Sequence, residues 1–312
     1  MKKEYVLLEA KETAELLTIP MVISVIEKCF AEKATGNFLA LPKINIAGEN
    51  GSLRITAGES RETFKAIGFR LYDVIRNDFS VQPQLNVVYD NETGRLKGIV
   101  ISQLLGAYRT AAINAVMQSG FQTKGINALG VVGTGYQARI HLEAFVYALE
   151  PKKVLVYGRT KANLQIFLAE MRAKLGHKTE ILACESIHNL AHVDSLLLAT
   201  RSKKPLISPK IFKNKMVITT IGPKTREKSE VSNDFAETCD LIVTDSKEQV
   251  EKYGDNFFMH DLSKVYDYTD FLKNENLKPS QNAKILLCSV GMGGTEVAIA
   301  NELIEKKQAL NV

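Results

Sequence analysis

Apolar positions follow two different rules along this chain, and the rule changes near residue 120. From about Thr13 to Lys33, residues Leu16, Leu17, Val22, Val25, Ile26 and Phe30 recur at helical spacing and predict one helix. Short apolar runs follow at Lys43 to Ile46, Ser52 to Thr56, Ala66 to Tyr72 and Gln84 to Tyr89, and predict strands. Asp90 to Arg95 carries turn chemistry, and Leu96 to Ile101 reads as the return strand of an antiparallel hairpin. An alanine-rich helix begins near Ser102, and Gly120 and Gly125 punctuate its end.

From Ala128 onward, short buried-type strands alternate with helices. The strands are expected at Ala128–Val132, Lys153–Tyr157, Thr179–Ala183, Asp194–Ala199, Met216–Ile221, Leu241–Thr244 and Lys284–Ser289. Helices are expected at Gln137 to Leu149 and Lys161 to Leu175, and a last one near Glu296 to Lys307 that crosses back to the N-terminal part. The fold class that follows is α/β: a Rossmann-type doubly wound parallel sheet domain plus a mixed α+β domain.

The first of these strands runs into Gly133-Thr134-Gly135-Tyr136-Gln137-Ala138, a GxGxxA turn between an apolar strand and a helix. Gly133 permits the tight turn, Gly135 lets backbone approach a pyrophosphate, and Ala138 allows close helix–strand packing. The unsatisfied N–H groups at the helix start favour an anion. Such a turn can also be merely structural, but its flanking strand and helix, and the strand that follows, favour an NAD(P) site. The end of the second strand reads Gly158-Arg159-Thr160-Lys161, without the acid that binds the ribose 2′-hydroxyl of NAD. Arg159 and Lys161 can bracket a 2′-phosphate with Thr160 donating a hydrogen bond, so NADP(H) is preferred and NAD(H) remains open. Thr200 is counted with the cofactor-binding residues.

Composition narrows the classes. The chain has 312 residues, 45% hydrophobic and 24% charged, enough for two globular domains. Net charge is +5 with scattered lysines and no nucleic-acid module, so nucleic acid is not an expected partner. No apolar run reaches about 18 residues and no signal-peptide pattern opens the chain, so a cytoplasmic protein without a membrane partner is expected. Cys29, Cys184, Cys239 and Cys288 are isolated, and no His stands at ligand spacing, so neither a metal site nor a disulfide framework is expected.

Taken together, Thr93-Gly94, Tyr108-Arg109-Thr110-Ala111-Ala112, the Gly133–Ala138 turn, Gly158-Arg159-Thr160 and Ile221-Gly222-Pro223-Lys224 leading to Glu230 resemble the ornithine cyclodeaminase/mu-crystallin family over almost the whole chain. The resemblance implies a Rossmann NAD(P)-binding domain over 121–284, and a substrate-binding and dimerisation domain from 1–120 with 285–312, in a homodimer. It implies hydride transfer at the carbon–nitrogen bond of a small carboxylate-bearing amino or imino acid. Arg109 matches the family's carboxylate-binding arginine, a role suited to a planar guanidinium. Arg54 is a second candidate, its alternative being a surface strand residue.

Two departures stand out. Where the family usually has a lysine that contacts substrate and is a candidate proton donor, this chain has Arg70, which can hold a carboxylate but is a poor acid. A proton relay then needs another group or a water, with Lys65 or Lys224 as candidates to help. Lys224 itself stands where cyclodeaminases have an aspartate for the ornithine amine, and a cation there disfavours a diamine. Glu296 replaces a common Asp. The expected function is reduction of a small imino acid; an NAD-retaining ornithine cyclodeaminase and an NADPH-dependent binding protein are the alternatives. His141, on the first Rossmann helix, reads as a partly exposed structural residue, and Asp245 as either a nicotinamide-side residue or a helix cap.

Overall fold

A computed structural model describes residues 5–49, 51–73, 83–213, 215–280 and 282–310. Residues 1–4, which entered the reading of the N-terminus, lie outside the described residues. Strand β1 (Val6–Leu8) opens the chain, and two helices follow where the periodicity predicts one: α1 (Ala10–Leu16) and α2 (Ile19–Ala34). Leu17 and Thr18 are extended between them. Pro20 lies in the first turn of α2, where its missing N–H is harmless but its ring would clash with a helix continuing from α1.

Then come β2 (Phe38–Ala40), β3 (Ile44–Gly48), β4 (Gly51–Ser60), β5 (Ala66–Asp73), β6 (Leu85–Asp90), β7 (Leu96–Ile101) and α3 (Leu104–Ser119). The next stretch is β8 (Ala128–Val132), α4 (Tyr136–Leu149), β9 (Lys153–Tyr157), α5 (Lys161–Leu175), β10 (Glu180–Ala183), β11 (Ser195–Leu198) and β12 (Met216–Thr220). A small hairpin, β13 (Lys224–Thr225) and β14 (Lys228–Ser229), precedes α6 (Asn233–Glu237), β15 (Leu241–Thr244), α7 (Lys247–Tyr253), β16 (Val265–Asp267), α8 (Tyr268–Lys273), β17 (Lys284–Cys288) and α9 (Thr295–Leu310). The chain divides into two compact units, Met1–Thr110 with Met292–Val312, and Ala111–Gly291; the division falls inside α3.

The first unit is a seven-stranded mixed sheet in the order β1-β7-β6-β5-β4-β2, with β3 also paired to β4. Only the β1–β7 pair is parallel. Period-two alternation gives the sheet two distinct faces. One carries Thr56, Arg70, Asn86 and Val100 in a cross-strand row, all buried, and α9 packs on this side of the unit. The opposite face carries the row Ile44, Ile55, Leu71, Leu85 and Ile101. Apolar residues on that face stay open to solvent in the chain, with Ile44 47%, Ile46 51% and Ile67 41% exposed.

The second unit holds an eight-stranded sheet in the order β10-β9-β8-β11-β12-β17-β15-β16, every pair parallel. Strand β8 lies inside it, between β9 and β11, so the order reverses direction at β8. That reversal is the switch point where doubly wound sheets open a crevice at the carboxyl ends of their strands. The strands are buried throughout β8, β11, β12, β15 and β17, as both-face coverage requires. The part of α3 in this unit is tied to the sheet by Gln118, which donates to Ser195 Oγ at 2.7 Å and accepts from Thr219 Oγ1 at 2.7 Å.

Candidate functional site

The GxGxxA turn occupies the switch point. Gly133 has φ +117, and a Cβ there would lie 2.3 Å from the Ala199 carbonyl oxygen, so both conformation and space require glycine. Gly135 is the N-cap of α4, makes no side-chain cap, and a Cβ on it would point into open space. Gly135 and Tyr136 are exposed at the start of this 14-residue helix, the kind of helix N-terminus that can hold an anion. Ala138 is fully buried, and the exposed Tyr136 and half-buried Gln137 complete the first turn. Thr134 offers its carbonyl to Arg139 Nη1, and its methyl rests against Gly158.

Gly158 follows β9 and leads to Arg159, Thr160 and Lys161, all exposed. Thr160 is the N-cap of α5, yet its hydroxyl makes no capping bond. Neither Arg159 nor Lys161 has an ion pair among the described residues. Two cations and an uncommitted hydroxyl thus stand near the Gly133–Ala138 turn, with no acid holding the cations among the described residues.

Further along the carboxyl edge of the sheet, Glu230 is fully buried and accepts four hydrogen bonds. Its Oε1 takes Thr200 N (2.6 Å) and Thr200 Oγ1 (2.7 Å), and its Oε2 takes Thr220 Oγ1 (2.8 Å) and Gly222 N (2.8 Å). Lys224 is buried too, with Nζ donating to Gly222 O at 3.1 Å. Burial lowers its ammonium below the usual 10.5, although Cys288, Glu230 and Asp245 nearby act in the opposite sense. Asp245 accepts from Val290 N (2.7 Å) and Gly291 N (2.9 Å); the cap of α7 is Ser246, so the expectation of Asp245 as a cap is corrected.

His141 is fully buried rather than partly exposed as expected. Its Nδ1 bonds Gln137 O and its Nε2 bonds Asn114, while burial brings its pKa down to about 4. It is a neutral packing residue at neutral pH. Lys65 is also corrected: it is an exposed turn residue paired with Glu92 at 2.9 Å, whose hydrogen bond raises its ammonium further.

The first unit gathers Arg70 and Arg109 around Glu296. Arg70 Nη1 lies 2.6 Å and Arg109 Nε 2.8 Å from the same Glu296 oxygen, and all three side chains are buried. Arg70 donates its other edge to Gln84 Oε1, from Nε at 3.0 Å and Nη2 at 2.6 Å, and stacks 4.1 Å from the Tyr72 ring. Those bonds use three of the five guanidinium N–H groups and leave one on each terminal nitrogen. The larger head fits because residue 106 is glycine: a Cβ there would lie 2.4 Å from Arg70 Nη2. Burial pushes the Glu296 carboxyl up, but Arg109 and Arg70 outweigh it and hold it at about 2. Two guanidiniums and one carboxylate leave this cluster with one net positive charge.

Arg54 pairs with Tyr72 across the β4–β5 ladder, on the same sheet face as Thr56 and Arg70. It is exposed and has no ion pair among the described residues. Sequence reasoning missed Gln84 and Gly106, whose residue types carry no signal of their own. It noted Glu230 and Glu296 without assigning their partners, and left Asp245 between a nicotinamide-side role and a helix cap. Among the described residues no group of His, Cys, Asp and Glu suits a metal, and no helix is long and apolar enough to cross a membrane.

Comparison with known proteins agrees with this geometry. The ketimine reductase mu-crystallin of Macropus fuliginosus is 25% identical over 218 residues, 69% of this chain and 66% of the relative, so the match spans just under two thirds of that protein. The iminosuccinate reductase of Paracoccus denitrificans is 27% identical over 71% of this chain and 70% of its own. The Δ1-pyrroline-2-carboxylate reductase of Thermococcus litoralis, solved with NADH and L-proline, superposes with a TM-score of 0.85 at 22% identity, over 98% of each chain, and has the same fold. The sequence profile of the ornithine cyclodeaminase/mu-crystallin family matches residues 3–310, and the chain belongs to that family.

Proposed function

We propose that this chain is an NAD(P)H-dependent oxidoreductase that reduces the C=N bond of a small imino acid to an amino acid. The observation that carries the reading is the α4 N-terminus behind Gly133 and the exposed Gly135, built at the switch point of a parallel sheet. Relatives named as reductases of ketimines, iminosuccinate and pyrroline-2-carboxylate support the reaction class. A reduced nicotinamide, when bound, supplies hydride to the imine carbon. Residues Gly133 to Ala138 would hold the pyrophosphate, with Thr200 on the neighbouring loop.

Arg159, Thr160 and Lys161 support NADPH over NADH, since unpaired cations there are suited to a 2′-phosphate. Arg109 and Arg70, oriented by Glu296, would bind the substrate carboxylate, and Arg54 adds a cation on the same sheet face. Neither arginine is a proton donor, and Glu296 is held ionised. The proton must come from another group or a water, and Lys224, whose burial weakens its hold on its proton, is the candidate of this reading. The 1–110 and 292–312 unit would serve substrate binding and dimerisation, and the 111–291 unit the dinucleotide. A second copy of the chain is the natural cover for the apolar sheet face of Ile44, Ile46 and Ile67.

Product analysis tests this reading. With NADPH, a cyclic imino acid should be converted to the saturated amino acid, one per dinucleotide oxidised. Proline formed from ornithine without added reductant would instead support a cyclodeaminase. Dinucleotide binding with no conversion of any imine would support a binding protein.

A further inference from the structure

We infer that Glu230 is a positioning residue that sets the shape of the dinucleotide crevice, an inference that rests on the reductase reading above. Its four hydrogen bonds join two separate loops. Thr200 lies just beyond β11, and Thr220 and Gly222 lie at the end of β12, the next strand in the sheet. Two of the donors are backbone N–H groups, one from each loop. A buried carboxylate that accepts from both fixes the separation of the loops more firmly than apolar packing would. Residue 222 has no alternative to glycine in this arrangement, because a Cβ there would lie 2.5 Å from Glu230 Cδ.

The effect reaches the phosphate turn through one contact layer. A Cβ on Gly133 would meet the Ala199 carbonyl at 2.3 Å and the Thr200 methyl at 3.3 Å. The 199–200 backbone therefore forms the wall against which the Gly133 turn rests, and Glu230 holds that wall from behind. The Glu230 carbonyl also receives Leu206 N at 2.8 Å, which ties down the far end of the same loop. Glu230 itself is sealed from solvent, so it acts on a bound dinucleotide through Thr200 and Gly222 rather than by contact.

Glu230→Gln tests this with little change in shape. Whichever way the amide is turned, its NH2 group faces one of the two backbone N–H donors, so one loop must move. NADPH and NADH binding is measured by nicotinamide fluorescence, with Tm recorded in the absence of dinucleotide. The expected result is a folded variant that binds both dinucleotides about tenfold more weakly, the cost of one buried charge-assisted bond, with their ratio unchanged. Thr220→Val removes one hydroxyl donor and leaves both backbone bonds, and should weaken both by about two- to threefold. A lowered Tm with wild-type affinity in both variants would reduce Glu230 to a stability role and overturn the inference. A wild-type chain that binds neither dinucleotide overturns the reductase reading itself, and the inference with it.

Discussion

The arginine cluster of the first unit and the lysine cluster of the second both bury charge, and they do opposite things with it. Around Glu296, two guanidiniums face one carboxylate at 2.6 and 2.8 Å, and the carboxyl is held near 2. Every charge there is fixed at neutral pH, so the cluster can orient an anion but cannot pass a proton. Around Lys224, a buried ammonium donates to the Gly222 carbonyl at 3.1 Å, and burial lowers its pKa. The difference lies in pairing: close counter-charges lower the Glu296 carboxyl despite its burial, whereas burial lowers the Lys224 ammonium despite the acidic groups nearby. On the proposed reading, Arg70 in place of a lysine leaves the first cluster to bind the substrate carboxylate and moves the acid elsewhere.

The largest effect should come from breaking the fixed cluster. Glu296→Gln leaves two buried guanidiniums without their counter-charge and should cost about 3–5 kcal/mol, read by denaturant unfolding. The pH dependence has a defined sign. The folded carboxyl is depressed, so its stabilisation is present above the ordinary value near 4.5 and is lost as pH falls toward 2. The wild type should lose stability across that window, and Glu296→Gln should lack this component.

Next comes the movable proton. Lys224→Met should lower kcat by about 10²–10⁴-fold while leaving dinucleotide affinity nearly unchanged. The ammonium is the donor form, so wild-type activity is present below its pKa and lost above it. The alkaline limb should therefore fall below the 10.5 of a free lysine and should vanish in the variant. A variant with the same limb and normal kcat would assign the proton to another group.

Smaller effects lie outside the two clusters. Arg159→Ala with Lys161→Ala should weaken NADPH binding by about tenfold or more and leave NADH unaffected, since on the proposed reading the exposed pair would meet only the 2′-phosphate. Ile46→Asp places a charge on the apolar sheet face; sedimentation should show a dimer for the wild type and monomers for the variant.

Much of the fold was legible because alternation and glycine placement are local signals. Strands β7, β8, β9 and β15 and helix α5 have the expected bounds, while β4 runs on to Ser60 because Ala57 to Ser60 keep pairing with β5. The division of the first helix was readable from Pro20, but the apolar spacing carries smoothly across it and conceals it. The turn between β8 and α4 was legible because its glycines and the alanine that packs behind them lie within Gly133 to Ala138. The charge clusters were not. Arg70 meets Glu296 across 226 positions and Gln84 across 14, and its room depends on an absent side chain at Gly106. His141 was misjudged because a helix pattern does not reveal which flank is covered, here by Asn114 of α3. Arg54 was ambiguous until the β4–β5 register put it on the face of Arg70.

The central claim is tested most directly by following nicotinamide absorbance with NADPH and NADH in parallel. Cyclic imino acids, and keto acids with ammonia or amines, serve as substrates. The account predicts oxidation that requires an imine and prefers NADPH. Tight binding of either dinucleotide with no oxidation across the whole panel would contradict it.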